Sequence, residues 1–193
     1  KSHRKRLLED LDRIDTWHLD AIASCGPFLD MPDLDRLIAV YGDEVSEDGS
    51  TLSPALDKPW DIWREMQSQV LEDFPQIDGL RSSLQDFAQR YQICAARGPK
   101  AEALGKAGAM RRFVQTIRQA VVVEHHGRAM MTTWGNPPDT YVLNDPIALR
   151  TIFKGIPTDG LILHNNECEH DFYLISPFND NFGVTDVPKG IMF

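Results

Sequence analysis

The chain has 193 residues, 42% of them hydrophobic, and sets 20 Lys and Arg against 29 Asp and Glu for a formal net charge of −9. That length suits one domain with a sizeable core. The acidic balance argues against general nucleic-acid affinity, which depends on neutralising phosphates with basic side chains, and is compatible with a protein partner whose surface is basic.

No apolar run approaches the ~20 residues that cross a bilayer, so no membrane partner is expected. Three scattered cysteines, Cys25, Cys94 and Cys168, form no CxxC pair. Such a set suits reduced thiols in a cytoplasmic setting better than a disulfide framework.

The opening KSHRKR reads as a solvated basic terminus. Apolar residues at Leu7, Leu8, Leu11 and Ile14, and again at Ala21 and Ile22, follow helical spacing, with a re-cap near Asp15-Thr16 and an end by Gly26-Pro27. A second short helix is expected from Pro32, burying Leu34, Leu37, Ile38 and Tyr41. The acidic, Ser- and Gly-rich stretch 42–59 has no apolar period and reads as a mobile loop. Three amphipathic helices follow. One carries Trp60, Trp63, Met66, Val70, Leu71 and Phe74; one runs over 79–96 with Leu80, Leu84, Phe87, Tyr91 and Cys94 in register; one starts at Gly98-Pro99 with Leu104, Met110, Val114 and Ile117.

From Ala120 the pattern turns extended. AVVVEHH reads as a buried strand, 128–134 as its partner across Gly127, and 141–143 as a third strand. Asp145-Pro146 signals a helix start, a carboxylate N-cap followed by Pro at the first helical position. Then Leu161-Ile162-Leu163 and Phe172-Tyr173-Leu174-Ile175, apolar at consecutive positions, read as a central antiparallel hairpin covered on both faces, with a further strand near 182–187. The expected fold is α+β: a helical N-terminal half packed on a mostly antiparallel sheet formed by the C-terminal half. Residues 1–58 supply N-terminal helices with the acidic flexible loop, and 59–193 supply helices plus the sheet, together one domain.

Chemistry-bearing side chains collect between these last two apolar runs. His164, Glu167, Cys168, Glu169, His170 and Asp171 share one bend, and His125 and His126 close another predicted strand. Zinc takes four N or S ligands, and a catalytic zinc keeps three with water at the fourth position. His126, His164, Cys168 and His170 are therefore the candidate metal ligands, with Glu167 or Glu169 as general base. The spacing matches no HExxH or paired CxxC pattern, and an acidic setting raises a thiol pKa, which argues against a Cys168 nucleophile. Residues 97–128 count seven basic and two acidic residues, a local reversal of sign. Lys100, Arg111, Arg112 and Arg118 are the candidate anion-binding residues there, weighed against pairing with the protein's own acidic surface.

No complete catalytic constellation emerges. The leading expectation is a non-catalytic protein-interaction module, an adaptor, cognate inhibitor or assembly protein, that meets a basic partner through Glu167, Glu169 and Asp171 or through the acidic loop 42–58. The alternative is a metal-dependent hydrolase or transferase, with zinc as the cofactor, built on the 164–171 bend.

Overall fold

A computed structural model of the chain describes residues 3–16, 20–25, 33–84, 92–135, 145–166 and 183–192. In chain order these form α1 (His3–Thr16), β1 (Ile22–Cys25), α2 (Leu34–Tyr41), α3 (Asp57–Asp73), β2 (Gly79–Leu84), α4 (Pro99–Ile117), β3 (Arg128–Gly135), α5 (Pro146–Phe153), β4 (Leu161–Asn166) and β5 (Lys189–Met192).

The strands make one sheet in the order β1-β2-β3-β4-β5, and every pairing is parallel. This overturns the expected antiparallel sheet of the C-terminal half. Both hydrogen-bonding edges of β4 are taken by parallel strands, Leu163 pairing with Met131 on one side and with Lys189 on the other. β4 is therefore not an arm of a hairpin with 172–175, a segment outside the described residues. Consecutive apolar residues mark a strand enclosed on both faces, and parallel strands are the ones usually so enclosed. The sheet also reaches across the boundary at 58, because β1 pairs with β2.

Each crossover moves one strand in the same direction. Crossovers between parallel strands are right-handed almost without exception, so successive steps of one sense place their helices on one face. The packing agrees, with α4 lying against α3 on one side and α5 on the other. Leu80, Ala129, Met131, Leu161 and Leu163 face this layer and are at most 2% exposed. Within it Trp63 meets Trp60 edge-on at 6.4 Å and Phe113 at 5.7 Å. In α3 Trp60, Trp63 and Leu71 of the expected stripe are buried together with Gln67, while Val70 is exposed.

The Asp145 cap forms as expected, its carboxylate accepting from the N–H groups of Ile147 and Ala148. Other elements depart from their sequence pattern. The helix expected over 79–96 is instead strand β2 and, after 85–91, a short 3-10 turn at Ile93–Ala95. The strand expected at AVVVEHH is a π-helical continuation of α4 over Arg118–Glu124. Its β-branched run favours strand, but Ala120 and Val121 are fully buried, and Glu124 accepts from Arg64 at 2.8 Å and Ser68 at 3.0 Å of α3. These tertiary anchors outweigh an intrinsic preference of under about 1 kcal/mol per residue. No helix among the described residues is long and apolar enough to cross a membrane.

The acidic segment 42–58 is also built rather than loose. Val45, Leu52 and Ser53 are buried. The Asp48 carboxylate accepts from the N–H groups of Ser50 and Thr51, both at 2.8 Å, and from their hydroxyls. Burial works against ionisation of Asp48, but these donors prevail and hold its pKa at about 2.

Candidate functional site

In parallel α/β sheets ligands bind beyond the carboxyl ends of the strands, because the loops that leave those ends converge there. Here that edge is formed by the ends of β1 to β5 at Cys25, Leu84, Gly135, Asn166 and Met192. Register fixes which side chains stand below it. Paired positions share a face, and alternate residues along a strand take opposite faces. With Leu80, Met131 and Leu163 turned to the helices, Arg81, Thr132 and His164 belong to the second face. None of these three is part of the helix-side core.

Thr132 pairs with His164, and His164 pairs with Gly190, so three adjacent strands supply one rung near the carboxyl edge. Arg81 stands one rung lower, level with Met130. Thr132 is 1% exposed, and its hydroxyl points to the Ser82 carbonyl at 3.5 Å. His164 is half-buried. Its Nδ1 is closed off from solvent and has no hydrogen-bond partner among the described residues. The ring lies over Gly190: a Cβ built there would sit 2.9 Å from His164 Cδ2, 3.6 Å from Nε2 and 3.7 Å from Cγ. Only glycine leaves that space.

Of the residues singled out from sequence, His164 alone is placed here. His126 precedes β3 at the amino edge, with a left-handed backbone (φ 56°). From Arg128 to Thr132 the strand alone spans about 13 Å, so the two imidazoles stand at opposite edges of the sheet. Glu167, Cys168, Glu169, His170 and Asp171 lie outside the described residues. Among the described residues no group of three or more His, Cys, Asp or Glu is placed to hold a metal.

The basic stripe of α4 is engaged within the chain. Arg111 Nη1 donates to the carbonyls of Ile152 at 2.8 Å and Lys154 at 2.7 Å. Arg118 donates to the Pro157 carbonyl at 2.9 Å and the Asp159 carboxylate at 3.0 Å. Arg112 pairs with Asp57. At Lys100 it is the backbone N–H that donates to Glu47, at 2.8 Å, while the ammonium charge favours the Glu47 carboxylate. A cleft of about 350 Å³ between α3 and α4 is bordered by Arg64 and Arg112, both already in ion pairs. Lys189, at the start of β5, donates through Nζ to the Thr185 and Val187 carbonyls and the Thr185 hydroxyl. Burial holds its pKa below the usual lysine range, with Asp186 opposing.

Arg81, Thr132 and Gly190 were not singled out from sequence. Their signal was available only through register: a cation, a hydroxyl and a glycine on separate strands have no common spacing in the chain. Comparison with known protein families, with characterised proteins and with solved structures finds no match for this chain.

Proposed function

We propose that the chain is a small-molecule-binding α/β domain whose site is the carboxyl edge of its sheet, on the face turned away from α3, α4 and α5. The observation that carries this reading is the Thr132–His164–Gly190 rung, which brings a hydroxyl, an imidazole and the glycine it rests on side by side from three strands, one position beyond the apolar pair Met131 and Leu163. Ligand sites pair a shaped surface with a few fixed polar groups, and this rung supplies such groups at the edge where parallel sheets bind.

The acidic-module reading has less to draw on. In 42–58 Glu47, Asp48 and Asp57 each hold partners within the chain, while Asp43, Glu44, Asp48 and Asp57 keep exposed positions. The test is amide NMR of the labelled protein against a set of small polar fragments. Saturable shifts are expected at Thr132, His164 and Gly190, with little change at Arg128 and Gly160 on the opposite edge. Shifts confined to the helix layer or to residues 42–58 would refute the proposal.

A further inference from the structure

At the amino edge of the sheet, away from the edge proposed above, the end of α5 and the segment leading into β5 border a cleft of about 560 Å³. Small-molecule sites usually measure about 300–1,000 Å³. The apolar part of its lining belongs to the core: Phe153, Ile156 and Val187 are at most 7% exposed, and Val184 packs against the same cluster.

The charge on the lining is the less expected part. In a chain of net charge −9, this cleft is bordered by two cations, Arg150 and Lys154, against one acid, Asp186. The two cations are four residues apart at the end of α5, a spacing that sets side chains on one side of a helix. Arg64, Arg112, Arg118 and Arg128 are each in an ion pair, whereas among the described residues Arg150 and Lys154 are in none. Asp186 lies near enough to Lys189 to act on its ammonium.

Basic residues at a helix C-terminus ordinarily answer the partial negative charge of its last carbonyls. Here other residues already do so. Arg111 donates to the Ile152 and Lys154 carbonyls at 2.8 and 2.7 Å, and Arg118 to the Pro157 carbonyl at 2.9 Å. The carbonyls that would repel an anion are thereby taken up, and the charge of Arg150 and Lys154 is left for the cleft.

We infer that this cleft is a second ligand site, for a small carboxylate with an apolar body. The body lies against Ile156, Val184 and Val187, and the carboxylate is received by Arg150 and Lys154. The Thr158 and Thr185 hydroxyls stand on the same lining as further polar groups. Neither half suffices alone, because water and salt screen exposed cations from a small free anion. The inference does not depend on the carboxyl-edge reading.

The test titrates the full labelled chain with octanoate, octanamide and acetate at fixed pH and ionic strength, following the amides and methyls of Ile156, Val184 and Val187. Octanoate is expected to saturate these shifts. Octanamide and acetate should bind at least about tenfold more weakly, the difference typical of one charged hydrogen bond. Arg150→Gln combined with Lys154→Gln should weaken octanoate by the same factor at an unchanged melting temperature, since both side chains are exposed. Should that double variant not fold, the comparison of octanoate with octanamide on the parent chain still decides. Octanoate and octanamide binding alike, or octanoate binding that survives the double substitution, would overturn the carboxylate receptor. Acetate matching octanoate would overturn the apolar half. Shifts at Thr132 and Gly190 in place of the cleft would refute this site and favour the carboxyl edge. No saturable shift in the cleft with any probe would refute this site alone and leave the carboxyl edge to its own test.

Discussion

Single carboxylates do much of the local shaping in this chain, and Asp48 shows it most fully. Four donors from Ser50 and Thr51 close on it, and a fifth comes from Ser46 Oγ at 3.2 Å. Its folded-state pKa is about 2, below that of an unfolded aspartate. A depressed carboxylate pKa stabilises the fold above the unfolded value, and the contribution fades as pH falls through the folded one. The protein should therefore lose stability between about pH 4 and pH 2, partly through this residue. Thermal melts across that window should show a smaller loss in Asp48→Asn than in the parent chain. An identical slope in both would exclude Asp48 as a contributor.

Elements here are finished by residues far away in sequence. α4 begins at Gly98-Pro99, and Gly98 has no side chain to cap it. Glu47 supplies the cap, its two oxygens accepting from the N–H groups of Lys100 at 2.8 Å and Ala101 at 3.0 Å. A Cβ on Gly98 would lie 2.5 Å from Glu47 Cβ, so the glycine makes room for the capping acid. Burial opposes ionisation of Glu47, but donors from Ser53, Lys100 and Ala101 keep its pKa below the usual range. Glu47→Ala should cost about 1 kcal/mol, the usual loss of an N-cap, read as a lower denaturation midpoint at unchanged slope. At the other end of the layer Arg111 caps the last carbonyls of α5. Arg111→Met keeps the apolar stem and removes the donors, and should cost about 1–3 kcal/mol. If either midpoint stayed put, that cap would contribute nothing. These distant caps also explain what the sequence showed and what it hid. The Asp145 start of α5 was legible because cap and helix are adjacent. Glu47 read as part of a loose acidic loop because its helix starts some fifty residues later.

At the scale of the molecule, parallel pairing joins segments that no local pattern links. Ile22 pairs with Gly79, and Gly79 with Arg128. Leu80, Leu84, Phe87, Tyr91 and Cys94 recur at helical intervals, and that period concealed the strand over Gly79–Leu84. The unbroken apolar run of β4 was read correctly as a strand, but its partners were sought nearby in the chain. The carboxyl-edge rung was hidden for the same reason, since it exists only once three distant strands are in register. This topology makes a measurable claim. β3 is the middle strand of the order, flanked on both edges, and its Ala129 is fully buried, with its N–H donating to the Gly160 carbonyl at 2.8 Å. Among the described residues β1 and β5 are each paired along one edge, and each has four residues. Amide exchange tracks local opening, which is easiest at short edges and hardest in doubly flanked strands. The amides of Ala129 and Met131 should thus exchange last, those of β2 and β4 earlier, and those of β1 and β5 first. A hairpin-centred antiparallel sheet would instead give its greatest protection to 161–163 and 172–175 as a matched pair. Finding that pair slowest, with β3 exchanging ahead of it, would contradict the parallel order and remove the register on which the His164 rung depends.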